Sequence, residues 1–399
     1  MRNLAETAGY NIVYSLEQIR HADPKYQIGE GKAEELADLV KKFSAEKIIF
    51  DNPIKPVQAY NLAKLTKIEV IDRFQLILEI FARNASTSEA KLEIELARLQ
   101  YELPQAKEKV RLARLEEQPG FMGLGRYEVD LYYELVIRQA ATIREKLRRI
   151  GAKRRLHRAR RLDLGFSLVS LAGYTNAGKS TLFNALAKES VPVDSGLFTT
   201  LSTTTRAVEL SKRKVLLTDT VGFIDRLPLK LIDAFHSTLE ETIFSDLILL
   251  VVDVSDPQKE IARKLSSCLE TIQKIGAAGI PIISVLNKTD AVSESEMQSK
   301  LEALKEAAPN PVPVSALHGD NLPSVKEEIV NHLENYIKVV LSMPVTDESM
   351  SFLSWLFNCA DVHDVKYRGK IVDVVFSAIP KFVDKVKGRA EQLGGVLKT

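Results

Sequence analysis

Ser167-Leu168-Val169-Ser170-Leu171-Ala172 runs directly into Gly173-Tyr174-Thr175-Asn176-Ala177-Gly178-Lys179-Ser180-Thr181. The first segment is an apolar run of strand length, and the second fits GxxxxGK[ST] in the strand, loop, helix context that gives the pattern its meaning. Glycines let backbone N–H groups wrap phosphate oxygens with no Cβ in the way, and Lys179 faces the β- and γ-phosphates. The helix opening at Gly178 adds the positive end of its dipole. Ser180 offers a hydroxyl to Mg2+. An α/β domain that grips a polyphosphate is the first expectation.

Three more segments follow in chain order. Phe198-Thr199-Thr200-Leu201-Ser202 lies in a polar stretch, 190–206, too irregular for a helix or strand. A loop there can bring a threonine hydroxyl to the metal and a backbone N–H to the γ-phosphate, and is ordered only by the triphosphate. Thr200 is the expected ligand, with Thr199 and Thr203 to Thr205 also open. The strand-like Val215-Leu216-Leu217-Thr218 ends in Asp219-Thr220-Val221-Gly222, a DxxG. The Asp219 carboxylate can reach the magnesium shell, and the Gly222 N–H can sense the γ-phosphate. Last, Ile282-Ile283-Ser284-Val285-Leu286 leads into Asn287-Lys288-Thr289-Asp290, an NKxD. Asp290 can accept two hydrogen bonds that guanine offers and adenine does not. Val312-Pro313-Val314-Ser315-Ala316-Leu317 completes the pocket, with a backbone N–H near Ala316 for the guanine carbonyl.

These segments specify GTP and GDP as ligands and Mg2+ as cofactor. Ser180, Thr200 and Asp219 stand around the metal, and Lys179, Thr200 and Gly222 at the transferring phosphate. The expected reaction is in-line attack of water on the γ-phosphate, giving GDP and phosphate. In small GTPases of the Ras kind a glutamine after the DxxG glycine orients that water. Here the residue is Phe223, whose ring cannot hydrogen-bond water. Slow hydrolysis by the isolated protein, accelerated by a partner, is therefore expected.

The chain has 399 residues, room for roughly two to four domains. Its 45% hydrophobic and 27% charged residues are those of a globular protein. No apolar run approaches the roughly 20 residues that cross a bilayer, and residues 1–11 lack the apolar core of a secretory signal. With Cys268 and Cys359 far apart and no other cysteine, neither a disulfide framework nor a zinc site is expected. A cytoplasmic protein, monomeric in solution, is the expectation. The net charge is +2, yet residues 138–161 hold eleven Lys or Arg against one acid, Glu145. A basic stripe on an otherwise acidic chain suits a polyanion such as RNA, the plainer reading being a solvated helix face.

Residues 1–83 alternate apolar runs (Asn11 to Tyr14, Lys47 to Phe50, Ile68 to Ile71) with helical patterns, the rhythm of a small α/β unit with parallel strands. The Gly29-Glu30-Gly31-Lys32 turn opens the first of those helices. Residues 84–162 read as an antiparallel helical hairpin. One helix presents Leu92, Leu96, Leu99 and Leu103; the second, basic helix presents Leu135, Ile143, Leu147 and Ile150. Pro119 to Gly125 break the pattern between them and form the tip, with Phe121 and Met122 exposed. Residues 163–340 are the Ras-like domain with a mainly parallel sheet. Pro344 marks a linker, and 341–399 form a small α/β domain.

The chain resembles the HflX family, translation-associated GTPases of the Obg-like group. The resemblance rests on GYTNAGKSTLFNAL, FTTLSTTTR, DTVGFI, HSTLEE and NKTD, and upstream on IGEGKAEEL and DRFQLILEIFARNASTSEAKLEIELARLQ. It implies binding to the large ribosomal subunit and its ribosomal RNA, with the hairpin tip near the peptidyl transferase region. It also implies a role in ribosome splitting or rescue, and Mg2+ ligation by Ser180 and Thr200. The tip departs from the family's glycine-rich run, reading Gly123-Leu124-Gly125-Arg126-Tyr127-Glu128. The competing reading, carried by the basic helix, is an RNA-binding or remodelling module in which GTP turnover is secondary.

Overall fold

The computed structural model describes residues 1–115, 126–163, 166–187, 204–210, 213–220, 222–224, 236–333 and 337–398. They fall into two compact units, one built chiefly on residues 1–150 and the other on residues from 151 onward.

The first unit opens with α1 (Arg2–Thr7), α2 (Glu30–Phe43), β1 (Lys47–Phe50), α3 (Pro56–Thr66), β2 (Glu69–Asp72) and α4 (Arg73–Asn84). β1 and β2 pair in parallel, Ile48 opposite Val70. Ala33, Val40, Leu62, Ile48 and Val70 close a small core over them. Gly29 caps α2 in an extended conformation, so the glycine turn does open a helix. Asp72 and Gln75 exchange side chain and backbone hydrogen bonds in a capping box at α4. Asn11 to Tyr14 form no strand: the segment is irregular, and the Tyr14 ring stacks on Phe43 at the end of α2.

α5 (Ser88–Leu115) and α6 (Arg126–Asp163) make the hairpin. Glu95 meets Gln139 and Glu102 meets Tyr132, so position rises on one helix as it falls on the other and the pair is antiparallel. The seam joins Leu92, Leu96, Leu99 and Leu103 to Val136, Ala140, Ile143 and Leu147. Leu135 is a correction: it is 52% exposed. The spacing of 136, 140, 143 and 147 is the helical one, and residue 135 lies about 100° away from that stripe. The hairpin tip lies outside the described residues. On α6, Arg138, Arg144, Lys146, Arg148, Arg149 and Lys153 are exposed. Arg148 and Arg149 pair with Glu145 at 2.7 and 2.9 Å, and hold its carboxyl down at about 2.

The second unit holds two sheets. In chain order the first is built from β3 (Ser167–Gly173), α7 (Lys179–Ala187), β4 (Thr204–Leu210), β5 (Arg213–Asp219), α8 (His236–Ile243), β6 (Leu247–Asp253), α9 (Gln258–Lys274), β7 (Ile282–Asn287), α10 (Glu294–Leu304), β8 (Val312–Pro313) and α11 (Leu322–His332). The strand order is β4-β5-β3-β6-β7-β8, with every pairing parallel except β4 with β5. Every residue of β3 is buried, as befits a central parallel strand covered on both faces. Arg154, near the end of α6, lies 3.7 Å from Glu240 on α8.

The second sheet uses β9 (Ile337–Pro344), α12 (Asp347–Cys359), β10 (Asp361–Arg368), β11 (Ile371–Ala378), α13 (Pro380–Gln392) and β12 (Val396–Lys398), in the antiparallel order β10-β11-β9-β12. Val372, Val374, Phe376 and Ala378 alternate inward beneath Phe352, Leu356, Phe382 and Val386 of the two helices. Pro344 is therefore not a linker. It ends β9 opposite Ile371, and the small sheet begins at 337 rather than 341. Proline is tolerated there because a strand's last residue need not donate to the ladder. Among the described residues no helix is long and apolar enough to cross a membrane.

Candidate nucleotide site

The chain leaves β3 with one group of strands on one side, β5 and β4, and the other group, β6 to β8, on the other. Carboxyl ends of strands at such a reversal frame a crevice, and the GxxxxGK[ST] loop, Asp219 and the NKxD turn lie there. Gly173 has φ +147°, and a Cβ on it would sit 2.3 Å from the Val251 carbonyl oxygen of β6. Gly178 has φ +91°, and its Cβ would meet Asn287 Nδ2 at 2.2 Å. Only glycine leaves this cradle open.

Lys179, the first residue of α7, is buried and donates from Nζ to the carbonyls of Gly173 at 3.2 Å and Tyr174 at 2.9 Å. The loop is thus wound around its own cation. Burial pushes the Lys179 ammonium down from its ordinary value, against the pull of nearby Asp219. A buried cation inside a glycine loop that opens a helix is a receptor for an anion. Beside it the Ser180 hydroxyl donates to Asp219 Oδ2 at 2.8 Å, both residues buried. A hydroxyl and one carboxylate are hard oxygen donors that fit Mg2+, which takes few protein ligands when phosphate oxygens and waters complete its shell.

The DxxG turn is pinned to the phosphate loop by its backbone. Phe223 N–H donates to the Gly173 carbonyl at 2.9 Å, and Thr175 N–H donates to the Phe223 carbonyl at 2.8 Å. Thr220 adds a hydroxyl bond to the Leu171 carbonyl. The Phe223 ring is 1% exposed and belongs to the core. Gly222 is held so close that a Cβ there would meet Thr175 Cγ2 at 2.8 Å and Lys179 Nζ at 2.9 Å.

On the other flank, Asn287 donates from Nδ2 to the Ala177 carbonyl at 2.9 Å and accepts the Ala316 N–H at Oδ1, 3.0 Å. Lys288, in the left-handed region at φ +69°, reaches back to Asp253 Oδ2 at 2.6 Å. The Ser315 hydroxyl donates to Asp290 Oδ1 at 2.6 Å, and Leu317 is 72% exposed beyond it. The Asn287 bond fixes the turn at Ala316, the stretch from which a backbone N–H is expected to reach the guanine carbonyl.

Three family models match consecutive parts of the chain: GTP-binding GTPase N-terminal over residues 1–82, GTP-binding GTPase Middle Region over 84–161, and 50S ribosome-binding GTPase over 168–288. The GTPase HflX of Methanocaldococcus jannaschii is 46% identical over 383 residues, covering 94% of this chain and 93% of the relative.

The chain belongs to the HflX family of GTPases.

The Escherichia coli GTPase HflX is 36% identical over 84% of this chain and 78% of its own length. A GTP-binding protein from Sulfolobus solfataricus, solved in complex with GDP, is 27% identical, covers 83% of this chain and 93% of its own, and superposes with a TM-score of 0.44. Of the residues expected in the HflX site, Gly173, Tyr174, Thr175, Asn176, Ala177, Gly178, Lys179, Ser180, Thr181, Asp219, Thr220 and Gly222 gather at the carboxyl ends of β3 and β5. Asn287, Lys288, Thr289, Asp290, Ser315, Ala316 and Leu317 gather beside them. Phe198, Thr199, Thr200, Leu201, Ser202 and Val221 lie outside the described residues. Two residues escape the sequence reading. Asp253, which holds Lys288, carries the same signal as Asp219 and Asp290, a carboxylate at the tip of an apolar strand. Lys264 sits over the Tyr174 ring at 5.1 Å and gives no such signal, because α9 reaches the loop only through the fold.

Proposed function

We propose that this HflX GTPase is a Mg2+-dependent GTP hydrolase acting as a nucleotide switch in the cytoplasm. It associates as a monomer with the large ribosomal subunit and its RNA, in ribosome splitting or rescue. The observation that carries the reading is the Asn287 side chain, which joins the phosphate loop to the turn bearing Asp290, so that gripping phosphate and reading guanine are one act. The match to a 50S ribosome-binding GTPase model supports the partner.

Lys179 and the phosphate-loop amides stabilise charge as water displaces GDP from the γ-phosphorus, and Asp290 selects guanine. Mg2+ bound at Ser180, Asp219 and Thr200 would neutralise phosphate charge. Gly222 and the segment around Thr200 report the γ-phosphate, and the Arg154 to Glu240 pair offers a route from α8 to the basic helix. With the Phe223 ring in the core, hydrolysis by the isolated protein is slow. The working division is 1–83, 84–162, a GTPase domain from 163, and the small sheet domain from 337.

The exposed cations of α6 favour a second reading, an RNA-binding or remodelling module in which GTP turnover is secondary. Co-sedimentation with ribosomal subunits separates the two. The switch requires tighter binding to large subunits with a non-hydrolysable GTP analogue than with GDP, and equal binding in both states would reject it.

A further inference from the structure

The turn after DxxG places a phenyl ring where Ras-like enzymes keep the glutamine that orients water, and here that ring is 1% exposed in the core. Position 223 therefore presents no side-chain group to a bound nucleotide. Thr175 brings a hydroxyl-bearing side chain against this turn. Its methyl lies 2.8 Å, and Lys179 Nζ 2.9 Å, from the point where a Cβ on Gly222 would stand. The side chain thus stands at the γ-phosphate end of the loop, between the lysine and the glycine that meet that phosphate. Its N–H is already committed to the Phe223 carbonyl, which fixes the residue against the DxxG turn. Thr175 is 5% exposed, and its Oγ1 is buried without a hydrogen-bond partner among the described residues. A buried, unpartnered hydroxyl is a standing cost unless something in another state of the site bonds to it.

We propose that Thr175 is the water-positioning residue of this enzyme. In the GTP complex its Oγ1 accepts a hydrogen bond from the attacking water and aligns the water lone pair with the γ-phosphorus. The water oxygen to phosphorus bond forms as the bond from phosphorus to the β,γ-bridging oxygen breaks. GDP leaves with that electron pair, and the water proton departs with phosphate, the threonine remaining unchanged. This role rests on the hydrolase reading above.

The test is single-turnover phosphate release from GTP by the full chain, with GTP and GDP affinities measured on the same samples. Thr175→Ser keeps the hydroxyl; Thr175→Val keeps the shape and the methyl facing Gly222. The expected result is a Ser variant within about threefold of wild type and a Val variant slowed at least about tenfold, both binding GTP and GDP within about twofold of wild type. Thr175→Ala carries the same expectation as Val and serves if Val does not fold. Val as fast as wild type overturns the proposal, as does a rate loss matched by lost GTP affinity, which would make the hydroxyl a ground-state contact. A fast Val beside a slow Ser assigns the residue to packing and also overturns it. If wild type itself releases no phosphate, the hydrolase reading fails first.

Discussion

The side-chain amide of Asn287 donates to the carbonyl of Ala177 across 110 residues of sequence, so that the NKxD turn and the glycine loop cannot shift independently. Replacing Asn287 by Ala would leave that carbonyl and the Ala316 N–H buried without their partner. We expect a loss of about 2 kcal/mol or more in stability, and at least about tenfold in GDP affinity. Urea denaturation and titration with a fluorescent GDP would check both.

Gly173 should be less tolerant than its size suggests. At φ +147°, with a backbone oxygen 2.3 Å from the would-be Cβ, Gly173→Ala must displace β6 rather than a flexible side chain. A cost above about 2 kcal/mol is expected, whereas Gly31→Ala, within α2 and with nothing within 4 Å, should leave stability unchanged or slightly raised. Equal melting temperatures for the two variants would contradict this.

Asp290 presents a carboxylate already oriented by the Ser315 hydroxyl at 2.6 Å. Asp290→Asn exchanges one acceptor for a donor, which mismatches guanine and matches xanthine. GTP affinity should fall by at least about 100-fold, and xanthosine triphosphate should bind better than to wild type. Competition binding decides it.

Burial in α9 pushes the Cys268 thiol up to about 12, from about 9 in the unfolded chain. Between those values the unfolded state loses a proton that the folded state keeps, so this residue's contribution to stability is complete below about pH 9 and falls as pH rises. The stability gap between wild type and Cys268→Ala should narrow by about 1.4 kcal/mol per pH unit above pH 9. Denaturation at pH 8 and pH 10 would show it, and a constant gap would contradict it.

The strands and turns proposed to hold the nucleotide are legible because each combines an apolar run with a polar residue at its tip, a pattern local enough to read without the fold. Ser167 to Ser180, Val215 to Asp219 and Ile282 to Asp290 all took the places expected of them. Less legible were features set by packing at a distance. Leu135 and Val136 are adjacent apolar residues on α6, and only the partner helix decides which faces inward. Pro344 looked like a break because proline is rare inside sheets, yet a strand terminus accepts it. Asn11 to Tyr14 had strand composition but found an aromatic neighbour on α2 instead.

The buried ring at 223 also limits how this enzyme can change. Exchanging Phe223 for Gln would empty a core site and bury a carboxamide before that group could ever meet a nucleotide, so the variant should melt earlier and hydrolyse no faster. Inheritance of a quicker clock through this codon is blocked by folding, and selection for speed must act on other positions or on what docks beside them.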